Sequence, residues 1–325
     1  MTNNEFLLFD RIQKIKSIVN KYGENTFYIS FSGGKDSTVL SKLVDIAIPD
    51  NKIPRVYADT GIEYNAVKEF VKKLKEKDDR IVILKPTKPI KQTLEKYGYP
   101  FKSKEHSMYV DIFKRNGKSA TSERYLHPSE SRKQFGCPQI LRYQFTDEYK
   151  LKTSAKCCDK LKKEPMLKYS KDTGRMNVMV GILGDEKGQR NNARCISKRH
   201  GGIHFQPLVA VDKEWEEWFI EEYNIELCKL YYPPYNFERT GCKGCPYNIN
   251  LQQDLDTMSM HEDMIAERKQ CELIWKPVYD EYRRLGYRLR KDDGQMNIFD
   301  YNSGFFYKES EDKNEIHRPY QKYVR

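Results

Sequence analysis

The stretch that most constrains this chain is Thr26-Phe27-Tyr28-Ile29-Ser30-Phe31, followed at once by Ser32-Gly33-Gly34-Lys35-Asp36-Ser37. A short run of aromatic and β-branched residues reads as a buried strand. The turn that ends it is glycine-rich, and Thr38 to Ile48 resumes with helical periodicity. Strand, glycine turn and helix in that order make an anion cradle. Glycines let the backbone approach a ligand, a helix N-terminus offers unpaired N–H groups, and the Ser hydroxyls and Lys35 add donors toward phosphate oxygens. The P-loop spacing G-x-x-x-x-G-K-[ST] is not satisfied, so this is a cradle of another kind. A plain turn with a helix cap explains the glycines and one Ser but leaves Lys35 and Asp36 unaccounted for.

The surrounding pattern sets the fold. Phe6, Phe9, Ile12, Ile15 and Val19 predict an amphipathic helix over residues 5–22. Strands are expected at 53–58 and 80–84 with a helix over 64–77 between them, a further strand at 178–183, and helices over 215–223 and within 255–285. This β-α-β-α-β alternation predicts an α/β fold with an open, mostly parallel sheet and helices on both faces. With 325 residues the chain is long for one compact domain and short for three. The expected organisation is a nucleotide-binding body at 1–250 and a helical extension with a tail at 251–325. Within the body, 98–150 reads as an insertion with some helix rather than a second core, and 151–250 carries the cluster and substrate segments.

Composition narrows the setting. Mean hydropathy is -0.84 and no apolar run approaches the roughly 20 residues of a membrane span. With no basic-then-apolar leader, a cytoplasmic location is expected, where thiols stay reduced. The eight cysteines therefore read as core residues, metal ligands or reactive thiols rather than a disulfide framework. The net charge is +11, and residues 151–200 hold 13 Lys plus Arg against 5 Asp plus Glu. Either a polyanionic partner or a solvated lysine-rich face accounts for that excess.

Cys157-Cys158 and Cys242-Lys243-Gly244-Cys245-Pro246 supply four thiols. Four thiolates suffice for a [4Fe–4S] cluster. A zinc site of the same four and unligated thiols both stay open. Cys228 and Cys271 read as buried helical thiols. Cys137 is unassigned, and Cys195 in its basic run is either an ordinary or an activated thiol.

The loop Ser-Gly-Gly-x-Asp-Ser resembles the signature of PP-loop ATP pyrophosphatases, of the adenine nucleotide alpha hydrolase-like fold. The resemblance implies that ATP is cleaved between its α and β phosphates with help from Mg2+. It assigns nucleotide binding to Ser32, Gly33, Gly34, Lys35, Asp36 and Ser37. Lys35 would neutralise the leaving pyrophosphate, and Asp36 is the implied Mg2+ ligand. Further segments resemble the phosphoadenosine phosphosulfate (PAPS) reductase family: Asp59-Thr60-Gly61, Gly181 with Glu186 and Arg190, and Gln206-Pro207-Leu208 before Trp215. They imply nucleotide contacts at Asp59, Thr60, Gly61, Gly181 and Glu186, and a catalytic role for Arg190.

The vicinal pair with a distant C-x-x-C resembles the iron–sulfur pattern of adenosine phosphosulfate (APS) reductases, which implies Cys157, Cys158, Cys242 and Cys245 as cluster ligands. The chain departs from sulfonucleotide reductases in one respect: no E-C-G-x-H segment with its nucleophilic cysteine is present. The mixture is similar to the ATP-hydrolysing component of DNA phosphorothioation systems and to tRNA thiolation enzymes. An adenine nucleotide, a DNA or tRNA acceptor, and a sulfur- or electron-donor protein are the implied partners, with no membrane. A thiol-dependent APS or PAPS reductase and a non-catalytic nucleotide- or nucleic-acid-binding module are the competing readings.

Overall fold

The computed structural model describes residues 1–185 and 194–291. Glu186 and Arg190 lie outside the described residues. In chain order the elements are α1 (Asn3–Tyr22), β1 (Phe27–Phe31), α2 (Lys35–Ala47), β2 (Arg55–Ala58), α3 (Asn65–Lys77), β3 (Ile81–Leu84), α4 (Ile90–Tyr97), α5 (Lys104–Asn116), α6 (Ala120–Leu126) and α7 (Lys156–Cys158). There follow α8 (Glu164–Thr173), β4 (Asn177–Met179), β5 (Ile196–Arg199), β6 (Gly202–Phe205), α9 (Lys213–Glu222), α10 (Leu251–Met260) and α11 (Ile265–Leu285). The strands form one six-stranded sheet in the order β3-β2-β1-β4-β6-β5. Every pairing is parallel except β5 with β6. The expected open, mostly parallel α/β sheet is therefore the fold, and its chain reversal between β2 and β4 leaves a crevice at the carboxyl end of β1.

Side-chain alternation assigns the faces. Phe27 and Ile29 of β1 pack with α1, α2 and α9 in a core around Leu40, Leu43, Trp215 and Phe219. Tyr28, Val56 and Val178 point the other way, against Met166 and Tyr169 of α8. Helices thus cover both faces.

Helix α1 starts as a capping box, with Thr2 and Glu5 bonding each other's backbone N–H. Its core face differs from the expected stripe. Leu8, Ile15, Ile18 and Val19 are buried, while Phe6 and Phe9 stand more than half exposed. Residues 98–150 are partly helical, and Phe101, Val110, Tyr125, Leu141, Phe145 and Tyr149 join Trp275, Tyr279 and Tyr282 of α11 in a large core that also takes in Tyr57, Tyr64 and Val67 of the body. The hairpin β5–β6 was not expected, and β4 is shorter than 178–183. Among the described residues no helix is long and apolar enough to cross a membrane.

Candidate functional site

The glycine turn sits at the carboxyl end of β1 and delivers Lys35 to the first turn of α2. Gly33 has φ +71°, and a side chain there would run into Val67 and Val71 of α3. The cradle is internally bonded. Ser32 N–H donates to Ser37 Oγ (3.1 Å), Gly34 N–H to Ser32 Oγ (3.2 Å), and the Ser37 and Thr38 hydroxyls both donate to the Gly34 carbonyl (2.9 Å each). Lys35 N–H donates to the Tyr231 hydroxyl (3.1 Å), which in turn bonds Thr240 Oγ1 (2.6 Å). Two N–H groups expected to be unpaired are thus capped by side chains, as helix N-termini require when a ligand does not satisfy them. The Lys35 ammonium lies 5.8 Å from the Tyr231 ring centroid.

Gly181, just past β4, passes so close to α2 that a Cβ would lie 2.6 Å from the Asp36 carbonyl oxygen. From α9, the Glu216 carboxyl comes up to the same turn. It is 2% exposed with one oxygen lacking a hydrogen-bond partner, and burial, then the Asp36 charge, pushes it up to about 8 against the pull of Lys35.

Asp59-Thr60-Gly61 leaves the end of β2 as a local turn. Asp59 Oδ1 accepts from Gly61 N–H (3.1 Å) and faces Lys68 at 3.8 Å, while Thr60 is buried and bonded through N–H and Oγ1 to Glu63 (3.0 and 2.6 Å). Glu63 is the residue of this segment that sequence reasoning passed over. It is 4% exposed, and its backbone bridges antiparallel to Cys242. Lys243 N–H also donates to the Ile62 carbonyl (2.8 Å). The C-x-x-C loop is therefore stitched to the segment that ends β2.

Cys157 and Cys158 occupy the first turn of a helix that passes through a π-helical stretch, Asp159–Lys163, before continuing as α8. Such a terminus stabilises thiolates. Their sulfurs are 4.0 Å apart. Sharing one proton raises Cys157, while the hydrogen bond from Cys157, and next Lys104 and Lys162, lower Cys158. Burial pushes Cys242 up and Cys245 up to about 12, and Cys158 bears on both. Lys162 is held charged first by Cys242 and then by Glu63, whose carboxylate lies 4.0 Å away. Lys162 stands one helical turn after Cys158, a spacing that could have marked it.

Helix α11 braces the loop. The Trp275 indole donates to the Lys243 carbonyl (3.0 Å), the Tyr279 hydroxyl to that of Gly244, and the Tyr282 hydroxyl to that of Pro246 (2.9 Å). Lys243 itself, 1% exposed, pairs with Glu267 of α11 at 3.0 Å.

Among the described residues no group of three or more His, Cys, Asp and Glu side chains is arranged to hold a metal ion. The donor chemistry nonetheless suits a cluster: four thiols lie within one another's electrostatic reach, with Lys162 beside them to offset thiolate charge. At the glycine turn the half-buried carboxylate Asp36, with the Glu216 carboxyl nearby, also suits Mg2+, which takes one or two carboxylates plus phosphate oxygens rather than a protein cage. Cys271 is a buried helical thiol as expected, whereas Cys228 is buried at the start of a short 3-10 turn.

A cavity of about 300 Å³ runs along the α8 face of the sheet, from Ser32 at the carboxyl end of β1 back past Tyr28 and Val178 toward the amino end. Its walls include Ser32 of the glycine turn, Tyr28, Tyr57 and Val178 from the sheet, Met166 from α8, and Glu63, Lys162 and Thr240. Arg199, His200 and His204 of the β5–β6 hairpin line its mouth at the amino end of the sheet. Nothing in the sequence marked that hairpin.

A mostly parallel sheet flanked by helices, with a glycine turn at its carboxyl edge, defines an open α/β class. The chain belongs to the phosphoadenosine phosphosulfate reductase domain family, whose profile matches residues 26–132 and 126–248. An uncharacterised protein of Methanocaldococcus jannaschii is 39% identical over 103 residues, which is 29% of this chain and spans a quarter (25%) of that protein. Among solved structures, PAPS reductase from Candida auris in a phosphate complex is similar with TM-score 0.40 and 15% identity, over 68% of this chain and 82% of that one. FMN adenylyltransferase from Candida glabrata gives 0.39 and 13%, over 69% and 58%. The U34-tRNA thiolase NcsA of Methanococcus maripaludis, with its [4Fe-4S] cluster, gives 0.34 and 12%, over 85% and 80%.

Proposed function

We propose that this PAPS-reductase-family protein binds ATP in the crevice at the end of β1 and cleaves it between the α and β phosphates. AMP passes to an acceptor oxygen and pyrophosphate leaves, so that the oxygen becomes displaceable by sulfur. The observation that carries the reading is the complete Ser32–Ser37 turn at the head of α2, beside a cavity large enough for a nucleoside. Lys35 meets the charge that develops on the leaving pyrophosphate, and Asp36 would hold Mg2+, which neutralises the same charge. Asp59-Thr60-Gly61 and Gly181 shape the walls around the nucleotide, and Glu186 and Arg190 complete the nucleotide contacts, with Arg190 in the catalytic role. Cys157, Cys158, Cys242 and Cys245 would hold a [4Fe–4S] cluster, which supplies electron or sulfur handling beside the nucleotide. The acceptor is a nucleic acid, DNA or tRNA, served by a sulfur or electron donor. In this reading residues 1–250 form the catalytic body and the extension from 251 supports its C-x-x-C loop.

Against sulfonucleotide reduction by Cys271 stands its complete burial in α11, so the reductase reading would need another thiol such as the half-buried Cys195. The test is pyrophosphate release from ATP and Mg2+, compared with thiol-dependent sulfite release from APS or PAPS. Lys35→Ala and Asp36→Ala should each abolish pyrophosphate release in folded protein, and activity retained in both refutes the assignment. Anaerobically purified protein should contain about four irons and absorb broadly near roughly 400 nm. A colourless preparation with one zinc per chain refutes the cluster.

A further inference from the structure

We propose that the β5–β6 hairpin is the docking surface for the phosphodiester backbone of a nucleic acid, feeding it toward the nucleotide cavity. This deepens the acceptor reading above and rests on the cavity being the nucleotide site. The argument begins with where uncompensated charge resides. Three lysines of the basic stretch 151–200 are paired on or beside its helix. Lys160 pairs with Glu164 at 3.1 Å, Lys163 with Asp159 at 2.6 Å, and Lys162 faces Glu63 at 4.0 Å. Between residues 194 and 205, by contrast, the chain carries Arg194, Lys198, Arg199, His200 and His204 and no carboxylate. Among the described residues none of these five makes an ion pair.

The hairpin geometry aims that charge. Cα register places Ser197 opposite His204 and Arg199 opposite Gly202, so Arg199 and His204 share the face that looks onto the cavity. His200 and Gly201 both take positive φ (52° and 82°), the two-residue turn that holds a hairpin tightly and fixes His200 at the mouth. Burial, then Arg199 and His200, lower the pKa of His204. Meanwhile Arg194 and Lys198 are exposed outside the cavity, and β5 is the edge of the sheet among the described residues. From residue 194 to 200 extended chain reaches up to about 20 Å. That exceeds the phosphate tail of one nucleotide and suits several consecutive phosphates of a strand, at about 3.4 Å of rise each.

The experiment uses the full chain and fluorescent tRNA, single-stranded DNA and duplex DNA, with affinity measured between about 50 and 200 mM KCl. Two double variants, Arg199→Gln with His200→Gln and Arg194→Gln with Lys198→Gln, are compared with Lys72→Gln plus Lys73→Gln on α3. Wild type should bind at least one probe, and the probe preferred identifies the acceptor. Each hairpin double variant should lower the slope of log K against log salt by about one to two and weaken binding about tenfold, while the α3 control keeps the wild-type slope. Binding of no probe by wild type, or an unchanged slope in both hairpin variants, overturns the proposal. Pyrophosphate release by wild type is measured in parallel. Its absence with the salt slopes as expected sinks the ATP-cleaving reading and leaves the surface standing.

Discussion

Replacing Glu267 with Gln removes one charge from a pair that water does not reach. Lys243 and Glu267 are 1% and 4% exposed, with Nζ and Oε2 at 3.0 Å, and the same Oε2 accepts Asn65 N–H at 2.9 Å. The substitution leaves a buried ammonium without its counter-charge, which costs about 3–5 kcal/mol. Gln retains one carbonyl oxygen for either Lys243 or Asn65, which places the expectation near the lower end, at about 3 kcal/mol. For a chain of this size that corresponds to a fall in Tm of about 4–5 °C. Because Lys243 lies inside the C-x-x-C loop, iron content should fall with it. The assay is thermal and urea unfolding of anaerobically prepared wild type, Glu267→Gln, Lys243→Met and the double variant. Removing both charges should recover at least about 2 kcal/mol relative to the worse single variant, since the cost belongs to the stranded charge. The difference should also persist at about 1 M salt, where exposed pairs are screened. A single variant within about 0.5 kcal/mol of wild type, or a double variant no better than either single, refutes the reasoning.

Three further outcomes are expected. Gly181→Ala brings a methyl group to 2.6 Å from the Asp36 carbonyl and must shift the first turn of α2, so ATP affinity by calorimetry should drop at least about tenfold, and an unchanged affinity rejects that contact. Tyr231→Phe removes the cap on Lys35 N–H, which should tighten ATP binding about fivefold while costing about 1 kcal/mol of unliganded stability; weaker binding would make the hydroxyl a ligand contact instead. Burial raises Asp254 to about 7 against 3.8 unfolded, so the folded state disfavours its ionised form and this residue's contribution to stability is lost as pH rises from about 4 through 7. Asp254→Asn should therefore gain on wild type across that window by up to about 2–3 kcal/mol in urea melts, and a pH-independent difference would count against the assignment.

What was legible in the sequence follows from how each element signals itself. β1, β2 and β3 are apolar runs bounded by turn residues, and the glycine turn after β1 carries its chemistry in six adjacent positions. The strand expected at 178–183 stops at Met179 because Gly181 must turn away against α2. β5 and β6, with Lys198, Arg199 and His204 among their few residues, have neither an apolar run nor clean alternation. They exist because β6 pairs with β4 across the sheet, which is tertiary information. The same holds for 98–150, where Phe101, Val110, Tyr125 and Phe145 are spread over short helices and 3-10 turns with no common period and find one another only through α11. For α1 the period was visible but its phase was not. Phe6 and Phe9 lie on the same turn-spacing as the true core positions, and only the packing of Trp215 near the helix start decides which stripe is buried. Of the site, the cysteines and the turn were visible as local motifs, whereas Glu63, Tyr231 and Thr240 reach it by long-range approach.

The carbonyls of Lys243, Gly244 and Pro246 take their hydrogen bonds from Trp275, Tyr279 and Tyr282. A nascent chain that has emerged only through Pro246 already presents every thiol of the proposed cluster, yet it lacks the strut that shapes two of them. Assembly of the sulfur pocket is therefore completed only when α11 docks, which makes that helix a checkpoint on maturation: metal delivered earlier would meet a loop held by the end of β2 alone.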